Sequence, residues 1–170
     1  MKVMDSRFKE KYLKLQMKTG KTVTITVAGI SMQPTLYEGD RITIQRRSKY
    51  NVGDILVFVY KNSMILTHRL LRIDNDCFYC KGDNAFRLED IAYDQIIGAV
   101  IMINGKIPER WDSNEIQMSY AVNRAFVRNR YDTEITKTTI EYQEYMKYVL
   151  NEKKSDLVNS DVESLGGKCN

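Results

Sequence analysis

Two side chains in this sequence have the type and setting for nucleophilic catalysis. Ser31 lies in Ala28-Gly29-Ile30-Ser31-Met32-Gln33-Pro34-Thr35-Leu36-Tyr37-Glu38-Gly39-Asp40. Before it, Thr22-Val23-Thr24-Ile25-Thr26-Val27 alternates hydroxyl and β-branched residues, the period-2 pattern of a half-buried strand; after it, Arg41-Ile42-Thr43-Ile44-Gln45 alternates again. Ser31 therefore belongs to a turn between two strands. Pro34 fixes its own φ and disfavours helix at Gln33, while Gly29 and Gly39 are free to take backbone angles closed to other residues. The spacing predicts a serine on a stiff, exposed corner. Such a hydroxyl can attack a carbonyl if a base lies within reach and backbone N–H groups face the oxyanion.

A serine needs a base, and the chain has one histidine, His68, in Leu66-Thr67-His68-Arg69-Leu70-Leu71-Arg72-Ile73. The segment reads as a strand with Leu66, His68 and Leu70 on one face and Thr67, Arg69 and Leu71 on the other. Taken alone, a lone histidine is more often structural or solvated than catalytic. Set in order along the chain, however, Ser31-Met32-x-Pro34-Thr35 with Gly39-Asp40, then Gly53-Asp54-Ile55-Leu56-Val57-Phe58, Thr67-His68-Arg69 and Lys81-Gly82-Asp83-Asn84 form a pattern. Over about residues 22 to 103 it resembles the signal peptidase I family, within the wider group shared with self-cleaving SOS repressors. Bacterial members carry a lysine base followed by arginine. With His68-Arg69 at that position, the sequence is similar to the histidine-bearing branch of endoplasmic-reticulum, archaeal and some spore-associated signal peptidases.

The resemblance implies serine endopeptidase chemistry on a peptide or precursor protein, with Ser31 as nucleophile and His68 as base. An imidazole, with an ordinary pKa of about 6.5, needs little tuning for that role near pH 7. A carboxylate is then required to orient the ring. Asp83 matches a motif residue of the family, and the histidine-bearing relatives place another aspartate shortly afterwards, where this chain offers Glu89 and Asp90; Asp83, Glu89 and Asp90 stand as alternatives for the third member. Some bacterial relatives supply an oxyanion donor from a serine two residues before the nucleophile. Here that position is Gly29, which leaves the Ser31 N–H and another donor. Substrate is expected as an extended strand along a sheet edge, with small residues next to the cut by resemblance.

The elements that must position these residues follow from periodicity. Residues 21–108 read as a β domain of short strands and turns: Ile55 to Tyr60 as a strand buried on both faces, Met64 to Ile73, Cys77 to Lys81, and Ile96 to Ile103 as a closing strand. The expected fold is mainly β, an antiparallel barrel-like domain of the signal-peptidase type with an N-terminal helix and C-terminal helices. Residues 1–20 predict a basic amphipathic helix with Met4, Phe8, Tyr12 and Leu15 as its apolar stripe, docked on the β domain in preference to lying on a membrane. Residues 109–152 predict a helical appendage, with one helix marked by Met118, Ala121, Val122, Ala125 and Phe126 and a second by Ile135, Ile140, Tyr142, Tyr145, Met146, Val149 and Leu150. The tail 153–170 has little to bury and is expected to be disordered.

Bulk properties narrow the partners. The formal net charge of +4 is concentrated in residues 1–21, and no helix-turn-helix or interleaved aromatic pattern accompanies it, which argues against nucleic acid. No apolar run approaches the roughly 20 residues of a membrane span. The expectation is a cytoplasmic protein whose only membrane contact is peripheral, through residues 1–20. Three cysteines, two of them in Cys77-Phe78-Tyr79-Cys80, make no metal site, because strand residues three apart face opposite ways and no second ligand pair exists. No cofactor is implied. The competing class is a non-catalytic relative that uses the groove only to bind peptides. A self-cleaving repressor is disfavoured by the missing lysine base and DNA-reading domain.

Overall fold

The computed structural model of the chain describes residues 6–61 and 64–151. Helix α1 (Ser6–Lys18) leads into seven strands: β1 (Val23–Thr26), β2 (Arg41–Gln45), β3 (Ile55–Tyr60), β4 (Met64–Asp74), β5 (Cys77–Lys81), β6 (Leu88–Ala92) and β7 (Ile96–Ile103). All pair antiparallel in one sheet of order β1-β2-β7-β3-β4-β5-β6, coiled as a half-barrel. The mainly β architecture with helices at both ends is the one the sequence implies. The predicted closing strand, β7, is not at an edge. It is inserted between β2 and β3, and Gly98 makes room there, since a Cβ at that position would lie 2.7 Å from the Gln45 carbonyl oxygen.

Strand β3 shows why the chain needs an uninterrupted apolar run. Ile55 and Val57 enter one core with Ile42, Ile44, Ile97 and Val100, while Leu56 and Phe58 enter a second with Tyr50, Leu70, Phe78 and Ile96. Each face of the strand is covered, so alternation would place a polar side chain in one core or the other. In β4 the simple alternation fails. The pairing with β5 shifts between Leu70 and Arg72, and the bulge lets consecutive residues bury in different places: Leu70 in the second core, Leu71 against the C-terminal helices.

Those helices are α2 (Ser113–Arg128), α3 (Thr133–Lys137) and α4 (Ile140–Tyr145), the last continuing as a π-helical turn over Met146–Leu150. Helix α2 begins with a capping box: Asp112 accepts from the N–H groups of Asn114 and Glu115, and Glu115 accepts from the Asp112 N–H. The second predicted helix is broken. Thr138 and Thr139 turn their hydroxyls onto the carbonyls of Ile135 and Thr136, offering the backbone an alternative to continued helix, and Thr139 then caps α4. Leu71, Trp111, Ile116, Val122, Tyr145, Val149 and Leu150 form the core between this unit and the sheet.

The stripe predicted for α1 needs correction. Met4 and the side chain of Phe8 lie outside the described residues, as do Asn62 and Ser63 of the β3–β4 turn and the tail from 153. Tyr12 and Leu15 are 47% and 62% exposed, whereas Leu13, 6% exposed, packs in the first core with Met32 and Leu36. The docked face is therefore rotated from the one that helical spacing of the larger apolar residues suggested. Replacing Leu13 by alanine is expected to lower the unfolding free energy by about 2–3 kcal/mol, and Leu15→Ala to change it by less than about 0.5 kcal/mol. Chemical denaturation of the two variants checks this, and the reverse ranking would show the stripe to be the buried face.

Candidate active site

The nucleophile loop is pinned from inside and left half-open outside. Gly29 and Gly39 adopt φ of 88° and 94°, the left-handed region that glycine enters without steric cost. Between them Met32, Pro34 and Leu36 are buried, while Ser31 is half-buried rather than exposed as the sequence suggested. Alternate side chains of the loop thus serve as anchors in the core, and the serine is carried where a neighbouring strand can reach it. The N–H of Asn84 donates to the Ser31 carbonyl at 2.8 Å, closing the loop against the segment after β5.

His68, on β4, is 5% exposed and sits edge-on to Phe58, with ring centroids 6.1 Å apart. Its Nε2 is 3.0 Å from Ser31 Oγ, and its Nδ1 is 2.9 Å from Glu89 Oε2. Because a buried carboxylate accepts from Nδ1–H, Nε2 is left with its lone pair toward the serine hydroxyl. Among the three alternatives for an orienting carboxylate, geometry selects Glu89. It lies on β6, a strand that sequence periodicity did not reveal because its five residues, Leu88-Glu89-Asp90-Ile91-Ala92, include two acids. The paired register Cys80↔Glu89 and the strand's alternation bury Glu89 and Ile91 and leave Asp90 in solvent. Asp90 thus faces away from His68.

Asp83 is brought close but serves another partner. Its carboxylate receives Arg69 Nε at 2.9 Å and Arg69 Nη2 at 2.8 Å, and the Thr35 hydroxyl at 2.6 Å. The same guanidinium donates to the Gly53 carbonyl at 3.1 Å and lies 3.9 Å from the centroid of the Trp111 ring. Arg69 is fully buried and Asp83 nearly so. A pair taken that far from water is tolerated only when its remaining donors and acceptors are used, as they are here. Asp83 is consequently a structural tie between the nucleophile loop and β4.

The glycine of Lys81-Gly82-Asp83-Asn84 has a packing role rather than a conformational one. A Cβ on Gly82 would lie 2.5 Å from the Ser31 carbonyl oxygen and 3.0 Å from His68 Nε2, so any side chain would wedge serine and histidine apart. Lys81, the one buried lysine among the described residues, donates to the carbonyls of Gly82 at 3.0 Å and Ala85 at 2.7 Å. Its ammonium is spent on those carbonyls. Burial lowers it to about 8 from the ordinary lysine value of 10.5. Cys80 is buried in the second core and its thiol is pushed well above its ordinary range by desolvation; Cys77 is only half-buried. Among the described residues no cluster of metal-ligating side chains occurs.

Ser31 opens into a groove of about 560 Å³ lined by Tyr12 and Leu13 of α1, by β1 and by Ile65, Leu66 and Thr67 of β4. Among the described residues, strand β1 pairs only with β2, and β4 pairs with β5 only from Arg69 onward. Two strand edges with unpaired backbone groups therefore border the groove.

The coiled antiparallel sheet thus threads a serine, a histidine and a carboxylate into one line of hydrogen bonds. The sequence matches the family described as Peptidase S24-like over residues 3–107, and the chain belongs to that family. Comparison with curated proteins gives no match.

The buried ammonium of Lys81 makes a prediction about pH. Its folded-state pKa lies below the unfolded value, so between about pH 8 and 10.5 the unfolded chain holds a proton that the native chain has released. The cost of burying the charge is complete below pH 8 and is relieved as pH rises through that window. The unfolding free energy of wild type relative to Lys81→Met should be level from pH 6 to 7.5 and then rise by about 3 kcal/mol toward pH 10.5. Urea denaturation across this range checks the slope; a level difference throughout would mean that folding leaves the Lys81 pKa unshifted.

Proposed function

We propose that the protein is a serine endopeptidase of the signal-peptidase type, cutting an extended peptide or precursor segment laid in the groove beside Ser31. One observation carries the reading: Ser31 Oγ, His68 Nε2 and Nδ1, and Glu89 Oε2 form a continuous relay with steps of 3.0 and 2.9 Å. In the proposed reaction the substrate strand pairs with the open edges of β1 and β4, which brings its scissile carbonyl to Ser31 Oγ. As the hydroxyl attacks, its proton passes to His68 Nε2, and the ring becomes an imidazolium held by Glu89. The Ser31 N–H is the proposed oxyanion donor, Gly29 having no hydroxyl to offer. Collapse of the tetrahedral intermediate returns the proton from Nε2 to the leaving amine, and water repeats the sequence on the acyl-enzyme.

The histidine in place of a lysine base supports the histidine-bearing signal-peptidase branch over a self-cleaving repressor. Substrates with small side chains next to the cut follow from that branch. No described helix is long and apolar enough to cross a membrane; the proposed setting is the cytoplasm, with any membrane contact peripheral and made by residues 1–20. No nucleic acid or cofactor enters the proposed reaction.

Reaction of the purified protein with a fluorophosphonate, followed by mass spectrometry of the modified peptide, tests the proposal. Ser31 is expected to carry the adduct, and Ser31→Ala and His68→Ala to abolish labelling and cleavage while keeping the β-sheet circular dichroism. Glu89→Gln should lower kcat roughly 10²–10⁴-fold with little change in KM, because the charge it stabilises exists only in the transition state. Asp90→Asn should stay within about twofold. Folded protein that binds peptides but never modifies Ser31 would leave a binding groove without catalysis.

A further inference from the structure

The family match ends at residue 107, yet the helices beyond it reach the segment that holds the nucleophile. Tyr145, the last residue of α4, is 1% exposed, and its hydroxyl donates to the Asp83 carbonyl at 2.6 Å. That carbonyl shares a peptide group with the Asn84 N–H, which donates to the Ser31 carbonyl at 2.8 Å. One rigid amide therefore accepts from Tyr145 on one side and donates to the nucleophile's own backbone on the other. Bonds arranged head to tail through a single amide polarise one another, so loss of the first weakens the second.

The surroundings hold the amide in that orientation. The carbonyls of Gly82 and Ala85 are both engaged by Lys81 Nζ, and that ammonium lies 5.0 Å from the centroid of the Tyr145 ring. The ring is in turn met edge-on by Trp111, whose indole also lies against the Arg69 guanidinium. Desolvation keeps the Tyr145 phenol well above its ordinary pKa, which leaves the hydroxyl a proton donor throughout the range in which a histidine base works. Among the described residues the side chain shows no hydrogen bond to Ser31 Oγ or His68, and its hydroxyl is linked to the nucleophile's backbone through the Asp83–Asn84 amide.

We infer that Tyr145 is a positioning residue for Ser31: through the Asp83–Asn84 peptide group it fixes the backbone that aims the hydroxyl at His68, and so makes catalysis depend on the C-terminal helices. The inference rests on the peptidase reading. It differs from a general packing role, because a residue that only stabilises the fold changes the fraction of folded protein and leaves the reactivity of each folded molecule alone.

The experiment measures inactivation of the full-length protein by a fluorophosphonate over a range of probe concentrations, separating the maximal rate from the half-saturating concentration. Tyr145→Phe keeps the ring and removes the donor; the maximal rate should fall about tenfold or more, the scale expected when a reacting group is slightly misaimed, with half-saturation within about twofold. Val149→Ala, which thins the same helical core and carries no donor to the Asp83 carbonyl, should lower the melting temperature and leave the rate unchanged. Wild-type reactivity in Tyr145→Phe, equal slowing in Val149→Ala, or a Tyr145→Phe variant that does not fold would each make the residue structural and overturn the inference. Wild-type protein that is never modified at Ser31 would remove the peptidase reading and this inference with it, whereas a labelled wild type matched by Tyr145→Phe removes only the positioning role.

Discussion

The buried pair of Arg69 and Asp83 is the constraint on which the rest of the site depends. Both charges are removed from water, an arrangement that survives only if every strong donor and acceptor finds a partner. Meeting that condition draws four separate parts of the chain to one guanidinium: Thr35 from the nucleophile loop, Gly53 from the turn before β3, Asp83 from the segment after β5, and the ring of Trp111 from the start of the helical unit. Arg69 is the immediate neighbour of His68 on β4. The strand that carries His68 is therefore locked in place by the side chain pointing the other way.

The relay and the ion pair consequently lie on opposite faces of β4 and share the loop 82–85 as a common wall. Gly82 meets Ser31 and His68, Asp83 meets Arg69, and Asn84 meets the Ser31 backbone. Three consecutive residues thus look in three directions. Removing the Asp83 carboxylate leaves the buried Arg69 guanidinium without its charged partner, the costly kind of loss for a buried polar group.

Much of this was legible in the residues themselves. The strands around Ser31 and the doubly buried β3 followed from period-2 patterns, and the meeting of Ser31 with His68 from the resemblance carried by four motifs in order. The carboxylate that His68 meets did not. Asp83 sits inside the motif and Asp90 has the shorter acid, but which acid meets the ring is settled by the register of β6 on β5, a pairing over long range that no local pattern encodes. The α1 stripe failed for a related reason. Tyr12 and Leu15 satisfy helical spacing, yet the half-barrel admits only the face that carries Leu13, so tertiary fit overrode the moment of the isolated helix. The break between α3 and α4 was written in Thr138 and Thr139, whose hydroxyls compete for backbone carbonyls.

The order of strands in the sheet also governs when, during the life of the chain, the site can exist. The serine comes from the loop joining β1 and β2 at one edge, the base from β4, and the carboxylate from β6 at the other edge. No hairpin or contiguous half of the sheet contains all three. Contacts so distant in sequence close last in a folding reaction, after the entropy of the intervening loops has been lost. A partly synthesised or partly unfolded chain can present the serine or the histidine but cannot align them with the carboxylate. The line of hydrogen bonds from Ser31 to Glu89 is thus a property of the completed sheet and of no smaller part of it.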